Sequence, residues 1–381
     1  MIIVFKRWWG MMLAILALQI GNGVSGITIS LRSEAAGFDA NAMGWIIGVF
    51  FLGSAAGSLA PPWVLRWTGL TGAFIVFTLI AGGSVAGFTF TDDPVAWMML
   101  RFAQGFGLSA MFATAESWLN LATGNDWRAR TFAVYIMMQL LGLAAGQLGV
   151  SLGDITGAAG LATAALLMTG SSLFLIAARH SEPSVALREP LNPIALTFRA
   201  PLGACVIAIS GFMWALVVGL GPVFAERSGL STTEVSVFTA IAVLGGLIAQ
   251  FPLGHWADHS DRRMVLAFMG SVAAAFALAG ALVPQPWAIT LFLISCVVGA
   301  MTFPVYAVAA SLVNEVLAQE ERVAASAAMV LYFGLGATLA PVLGAQAMAI
   351  AGPHAFFLAA ALVCAAQALL LSLRSWDTTP H

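Results

Sequence analysis

The chain has 381 residues, 60% of them hydrophobic and only 8% charged, with a formal net charge of −2. An ordinary soluble domain carries about 25% charged residues, so this composition excludes one. No basic cluster interleaved with aromatics offers phosphate contacts, so no nucleic-acid partner is expected.

Apolar runs long enough to cross a ~30 Å hydrocarbon core as helices recur from end to end. Twelve are expected, near 9–30, 42–64, 72–90, 95–121, 131–155, 160–178, 202–224, 235–256, 264–283, 287–313, 323–349 and 355–373. They are continuously apolar and rich in Ala, Leu and Gly, whereas barrel strands alternate over ~10 residues, so an all-α polytopic membrane protein is expected.

The first run follows Lys6-Arg7 as a signal peptide would, but its apolar stretch is too long for one and a retained helix is expected. Gln19 and Asn22 are three apart on it and share a face. Behind the second run lies Pro62-Trp-Val-Leu-Arg66-Trp67-Thr-Gly69. The fourth run carries Arg101, Gln104 and Glu116. A charge at mid-helix costs about 2.5–3.5 kcal/mol, so Arg101 needs compensation. First-helix carbonyls, Gln19 or Asp154 are the expected partners. Glu116 is too far along the same helix, ~22 Å, to pair with Arg101. It falls at the cytoplasmic boundary, where Arg128 or Arg130 is the expected partner and a titrating gate carboxylate the alternative.

The fifth run holds Tyr135 and Gln139, the stripe Gly142, Gly146 and Gly149, and Asp154 near its end. A segment from Arg179 to Pro201, with Pro183, Pro190 and Pro193 inside it along with three Arg and two Glu, reads as a cytoplasmic linker. It divides the chain into bundles 1–178 and 202–381. Ser210 and Trp214 lie on the seventh run, Gln250 on the eighth, Thr302 and Tyr306 on the tenth, and Tyr332 on the eleventh. Glu315 ends the tenth at a depth like that of Glu116. Gly221-Pro222 and Pro304 mark kinks, because a mid-helix proline loses a backbone bond.

At an offset of 192 the second half re-uses the first: Arg7 falls on Arg199, Gly37 on Gly229, Leu52-Gly53 on Leu244-Gly245, Gly107 on Gly299, Arg130 on Arg322, and Gly142-Leu143 on Gly334-Leu335. Duplicated halves place a binding site at the midplane. Of 15 Lys and Arg, twelve lie on the side of the N-terminus, only Arg32 and Arg227 on the other, and Arg101 within a span. Both termini are therefore expected in the cytoplasm. Cys205, Cys296 and Cys364 lie inside spans without a CxxC, and the five His fall in loops, span ends or the tail, so no disulfide, metal site or catalytic constellation is indicated.

After the eighth run the sequence reads Gly254-His-Trp-Ala-Asp258-His259-Ser-Asp261-Arg262-Arg263. This resembles the loop signature of the major facilitator superfamily (MFS), a Gly, an Asp four on, and a basic pair, in which acid and arginines form a network that locks one face. The first-half counterpart keeps only Gly69 and, in Arg66, a basic character. Arg101-Phe-Ala-Gln104-Gly105-Phe-Gly107 resembles the fourth-helix signature, and Gly142-x-x-x-Gly146-Gln147-x-Gly149 is similar to the fifth-helix glycine pattern, with Gln147 where many antiporters have Pro. Glu116-Ser-Trp-Leu-Asn120, Gln250-Phe-Pro-Leu-Gly254 and Pro304-Val-Tyr306 look like the YcaD-like branch. The resemblance implies two six-helix bundles around a cavity lined by helices one, four, seven and ten.

On these residues the chain is expected to be a monomeric inner-membrane transporter without cofactor, moving a small organic solute by alternating access. Gln19, Asn22, Arg101, Gln104, Ser210, Trp214, Thr302 and Tyr306 are expected to line the cavity, with Tyr135, Gln139, Gln250 and Tyr332 in a second tier. Glu116, Asp154, Asp258, Arg262, Arg263, Arg66, Gly142 and Gly146 are the expected gating or coupling residues. Proton coupling requires Glu116, Asp154 or Glu315 to titrate during the cycle. A membrane sensor or assembly partner that keeps the fold without the cycle, or an uncoupled facilitator, is the alternative.

Overall fold

A computed structural model describes residues 2–123, 125–152, 158–178, 199–282, 288–317 and 319–372. The linker expected over 179–201 lies largely outside the described residues, as does Asp154.

Among the described residues, helix follows helix: α1 Ile2–Ala35, α2 Ala40–Ser58, α3 Pro61–Gly87, α4 Pro94–Ala122, α5 Asn125–Gly149 and α6 Ala158–Ala178. Then come α7 Pro201–Arg227, α8 Thr232–His259, α9 Arg262–Leu282, α10 Ala288–Glu315, α11 Gln319–Ala351 and α12 Ala355–Ser372. Eleven helices are long and apolar enough to cross a membrane; α4, with Arg101, Gln104 and Glu116, has the length but not the composition.

Both expected proline kinks are present. In α7 the backbone opens into a wide turn at Leu216–Leu220, directly before Gly221-Pro222. In α10 the helix stops at Thr302 and resumes at Val305, across Pro304. The cause is common: proline has no N–H for the preceding turn, and its ring crowds the carbonyl there. A further break, in α3, comes from Gly69 at φ +69° rather than from a proline.

The helices gather into two compact units, 1–189 and 190–381. Within the first, α1 packs on α5 and α6, α4 on α2 and α3, and α3 on α6. Within the second, α7 packs on α11, α8 on α10, and α9 on α10 and α12. The pairings 1–5, 2–4, 3–4 and 3–6 thus recur as 7–11, 8–10, 9–10 and 9–12.

The repeat extends to single hydrogen bonds. α1 closes with Gly37 N–H on the Glu34 carbonyl and Phe38 N–H on that of Ser33; α7 closes with Gly229 N–H on Glu226 and Leu230 N–H on Ala225. Both glycines have positive φ, +69° and +84°, as this helix-ending motif demands. Next, Asp39 accepts the Ala42 N–H to start α2, and Ser231 accepts that of Glu234 to start α8.

A Cβ in the left-handed region costs about 1–2 kcal/mol. Gly37→Ala and Gly229→Ala should therefore each lower thermal stability in detergent by a similar amount. Gly83→Ala, at an exposed helical position with open space around it, should leave it equal or slightly higher.

Candidate functional site

The polar residues of the first unit converge on one guanidinium. Arg101 is 5% exposed, and its Nη1 donates to Gln104 Oε1 at 2.9 Å, one turn along α4. Its Nε donates to the Ile46 carbonyl of α2 at 3.4 Å, and its Cζ lies 4.7 Å from the centre of the Phe50 ring. The cation is thus held by α2 and by its own helix. This corrects the expectation of first-helix carbonyls or Gln19. α2 and α4 lie in close contact, Gly105 against the Phe50 carbonyl and Gly53 against that of Phe102, which brings α2 backbone and ring beside the guanidinium.

α1 enters through Gln104. Its Nε2 donates to Ser25 Oγ at 2.9 Å, and Ser25 Oγ donates to the Asn22 carbonyl at 3.0 Å. Asn22 Nδ2 in turn donates to Gln19 Oε1 at 3.0 Å. Gln19, Asn22, Gln104 and Arg101, expected together, therefore form one connected chain. Ser25 is the member that sequence reasoning missed; its signal was the three-residue spacing that continues the Gln19 and Asn22 face.

The partners of Arg101 among the described residues are all neutral. A buried cation whose described neighbours supply dipoles and a ring face, with no carboxylate among its described partners, is suited to receive one negative charge or a strong acceptor from a ligand.

Beside this chain α1 and α5 touch backbone to backbone. A Cβ on Gly142 would stand 2.7 Å from the Leu16 carbonyl oxygen and 2.8 Å from Gln19 Cβ, and one on Gly146 would overlap the Ile20 carbonyl. These two glycines set the distance between α1 and α5 at the level of Gln19.

Further along α4, Glu116 has a described partner on α5. The Tyr135 hydroxyl on α5 donates to Glu116 Oε1 at 3.2 Å. Tyr135 is fully buried, its ring edge-on to Phe112 and Phe132. This residue, expected in the second tier of the cavity, packs between α4 and α5. Arg130 lies over Trp127 instead, 5.3 Å from its centroid. The Arg128 side chain lies outside the described residues.

Ser210 and Thr302 each donate to a carbonyl of their own helix, those of Ile207 and Val298. Trp214 packs on Phe303 at 4.5 Å and Tyr306 on Phe333 at 5.5 Å. Tyr306 and Tyr332 flank an apolar cluster that includes Leu253, Met269 and Val308. Gln139 on α5 and Gln250 on α8 are half-buried.

The loop signature does form a network. Arg262 reaches Glu315 at the end of α10 and lies 3.7 Å from Asp258 on α8, while the Arg263 N–H is received by Asp261 at 2.9 Å. The α8–α9 turn is thereby tied to α10. Asp258 is 67% and Glu315 47% exposed, so water screens the pairs and each contributes about 1 kcal/mol or less. In the first unit Arg66 is exposed and occupies the position equivalent to Asp258, with Leu70 at that of Arg262, so the ionic clasp has no counterpart there.

Comparison with known proteins follows this architecture. Residues 203–381 match the family model described as the Major Facilitator Superfamily. The chain is 27% identical over 361 residues to a Salmonella typhimurium protein described as the uncharacterized MFS-type transporter YcaD, covering 90% of each chain. The Salmonella heidelberg protein of the same description is 25% identical over 354 residues, again covering 90% of each. Among solved structures, the nucleoside transporter NupG matches with TM-score 0.78 at 14% identity, covering 96% of this chain and 97% of that one. A bacterial homolog of the human lysosomal transporter Spinster, inward-facing and unoccupied, matches with TM-score 0.71 at 13% identity, covering 97% and 94%.

Removing one member of a buried polar chain leaves its neighbour unsatisfied at a cost of about 1–3 kcal/mol. Gln104→Leu should therefore lower thermal stability measurably, and the double variant Arg101→Met/Gln104→Leu should lower it by less than the sum of the two single variants. Additive losses would show that the residues do not act as one unit.

Proposed function

From the premise that this chain is a multi-pass membrane protein with the fold of the major facilitator superfamily, a family of transporters rather than enzymes, and resembles its YcaD-like branch, we propose that it moves a small organic solute across the inner membrane by alternating access. The solute is neutral or zwitterionic, or carries a single negative charge. The observation that carries this reading is Arg101: a buried cation, neutral partners among the described residues, and a row of amide and hydroxyl groups running from it onto α1. A polyanion needs several such cations and a divalent metal needs clustered carboxylates, and the sequence places neither at mid-span. Nucleosides belong in the first solutes tried, since a nucleoside transporter shares the fold. The protein acts as a monomer with both termini in the cytoplasm, as the Lys and Arg distribution supports.

Movement is proton-linked in this proposal, with Glu116 as the titrating group. A tyrosine hydroxyl donates to a carboxylate and accepts from a carboxylic acid, so Tyr135 gives Glu116 a partner in both protonation states. Arg262, Arg263, Asp258 and Glu315 act as a clasp at one face that opens during the cycle, and Gly142 and Gly146 let α5 slide on α1.

A thermal-shift screen of metabolites on purified protein should find a stabilising ligand whose effect disappears in both Arg101→Ala and Gln104→Ala. In vesicles, collapsing the pH gradient should abolish concentrative uptake of that ligand by the wild type, and Glu116→Gln should retain exchange while losing the response to the gradient. Uptake indifferent to the gradient leaves a uniporter. Cysteines introduced at the two faces that show one fixed accessibility pattern, with or without ligand, would point instead to a sensor or assembly partner.

A further inference from the structure

We propose that one end of the first unit is a docking surface for the phosphate headgroups of anionic phospholipids, built from tryptophan and arginine at the starts of α1, α3 and α5. The short connections after α1, α2, α3 and α4 reverse the chain each time, so these three starts share one end of the bundle.

The central element is the stretch of α3 ahead of the Gly69 break. In Pro61–Thr68, Pro61 and Leu65 are buried while Trp63, Arg66 and Trp67, at helical spacing, face outward. The two tryptophans are 71% and 85% exposed. Gly69 at φ +69° ends this turn before the spanning part of the helix begins at Leu70, so the turn is free of the direction the span must take. Tryptophan and arginine recur at the other two starts. On α1 the Arg7 guanidinium lies 5.8 Å from the Trp8 ring, and Trp9 is exposed; on α5 Arg130 lies over an exposed Trp127.

Exposed tryptophan beside exposed arginine suits the boundary between hydrocarbon and water. The indole has an apolar body for acyl chains and an N–H for the headgroup layer, and the guanidinium fork matches a phosphate. Charge separates this end from the other end of the same unit, where the chain carries Glu34, Asp39, Asp92 and Asp93 and Arg32 is paired with Asp92 at 3.3 Å. The repeat sharpens the contrast. In the second unit the equivalent loop spends Arg262 internally on Asp258 and Glu315, whereas the first unit carries arginine and indoles that face outward. The surface is therefore charge-complementary to an anionic leaflet and continuous with the lipid-facing wall.

The inference stands apart from the identity of any solute, and its test uses no transport readout. The full-length chain in detergent is titrated with phosphatidylglycerol or with phosphatidylcholine of the same acyl chains, and bound lipid is counted by native mass spectrometry. Wild type should prefer phosphatidylglycerol, less so as salt rises. Arg66→Gln and Arg130→Gln should each lower that preference about fivefold, as expected for one arginine near an anionic surface. Arg32→Gln, at the acidic end, should leave it unchanged. Trp63→Ala with Trp67→Ala should weaken both lipids together. The proposal is overturned if the Arg66 and Arg130 variants keep the wild-type preference, if Arg32→Gln loses as much, or if soluble glycerol phosphate displaces the lipid as well as phosphatidylglycerol does.

Discussion

Burying one guanidinium among packed helices is the constraint that organises the first unit. The charge costs several kcal/mol unless dipoles surround it. Arg101 meets that demand with the Ile46 carbonyl, the Gln104 amide and the Phe50 ring. Each of those groups is placed by something else: Ile46 and Phe50 by the close approach of α2 to α4, Gln104 by its bond to Ser25 on α1. Three helices are therefore registered against one another through a single charge. The same arrangement leaves the cation without a carboxylate among the described residues, and in the transport proposal that is where the solute's negative group is received.

The two units show how a duplicated helical bundle keeps some features and changes others. Turns after the first helix of each are alike down to the bonding of Gly37 and Gly229, and so are the helix pairings. Those features are backbone geometry, which any change of loop or packing glycine would disturb. The loops after the second and eighth helices differ in chemistry because their side chains face solvent or headgroups, where substitution is cheap. One became an ionic clasp and the other an aromatic and basic face. The polar chemistry is divided unequally as well. The first unit links its polar side chains into a row, while in the second Ser210 and Thr302 turn back to their own helices among aromatic contacts.

Much of this was legible in the residues. Length and continuous apolarity of each run suffice for helices in a membrane, because the backbone must be satisfied within the segment. Kinks at Pro222 and Pro304 follow from a missing N–H, and the shared face of Gln19 and Asn22 from helical spacing. Ser25 escaped notice because a serine among Val, Gly and Ile reads as filler until a partner faces it. The break at Gly69 was missed too, since a helical glycine and a left-handed one look the same in a sequence.

Spans, duplication, kinks and the charged loop signature were determined by the sequence alone, because each depends on residues near one another along the chain. Partner choice was decided only by tertiary structure. Arg101 took an α2 carbonyl, and Glu116 took the Tyr135 hydroxyl. Which side chain meets which across two helices depends on their separation, rotation and axial register. Those are set by glycine contacts such as Gly142 on Leu16 and Gly146 on Ile20, and a one-residue shift along a helix turns a side chain by about 100° away from its partner.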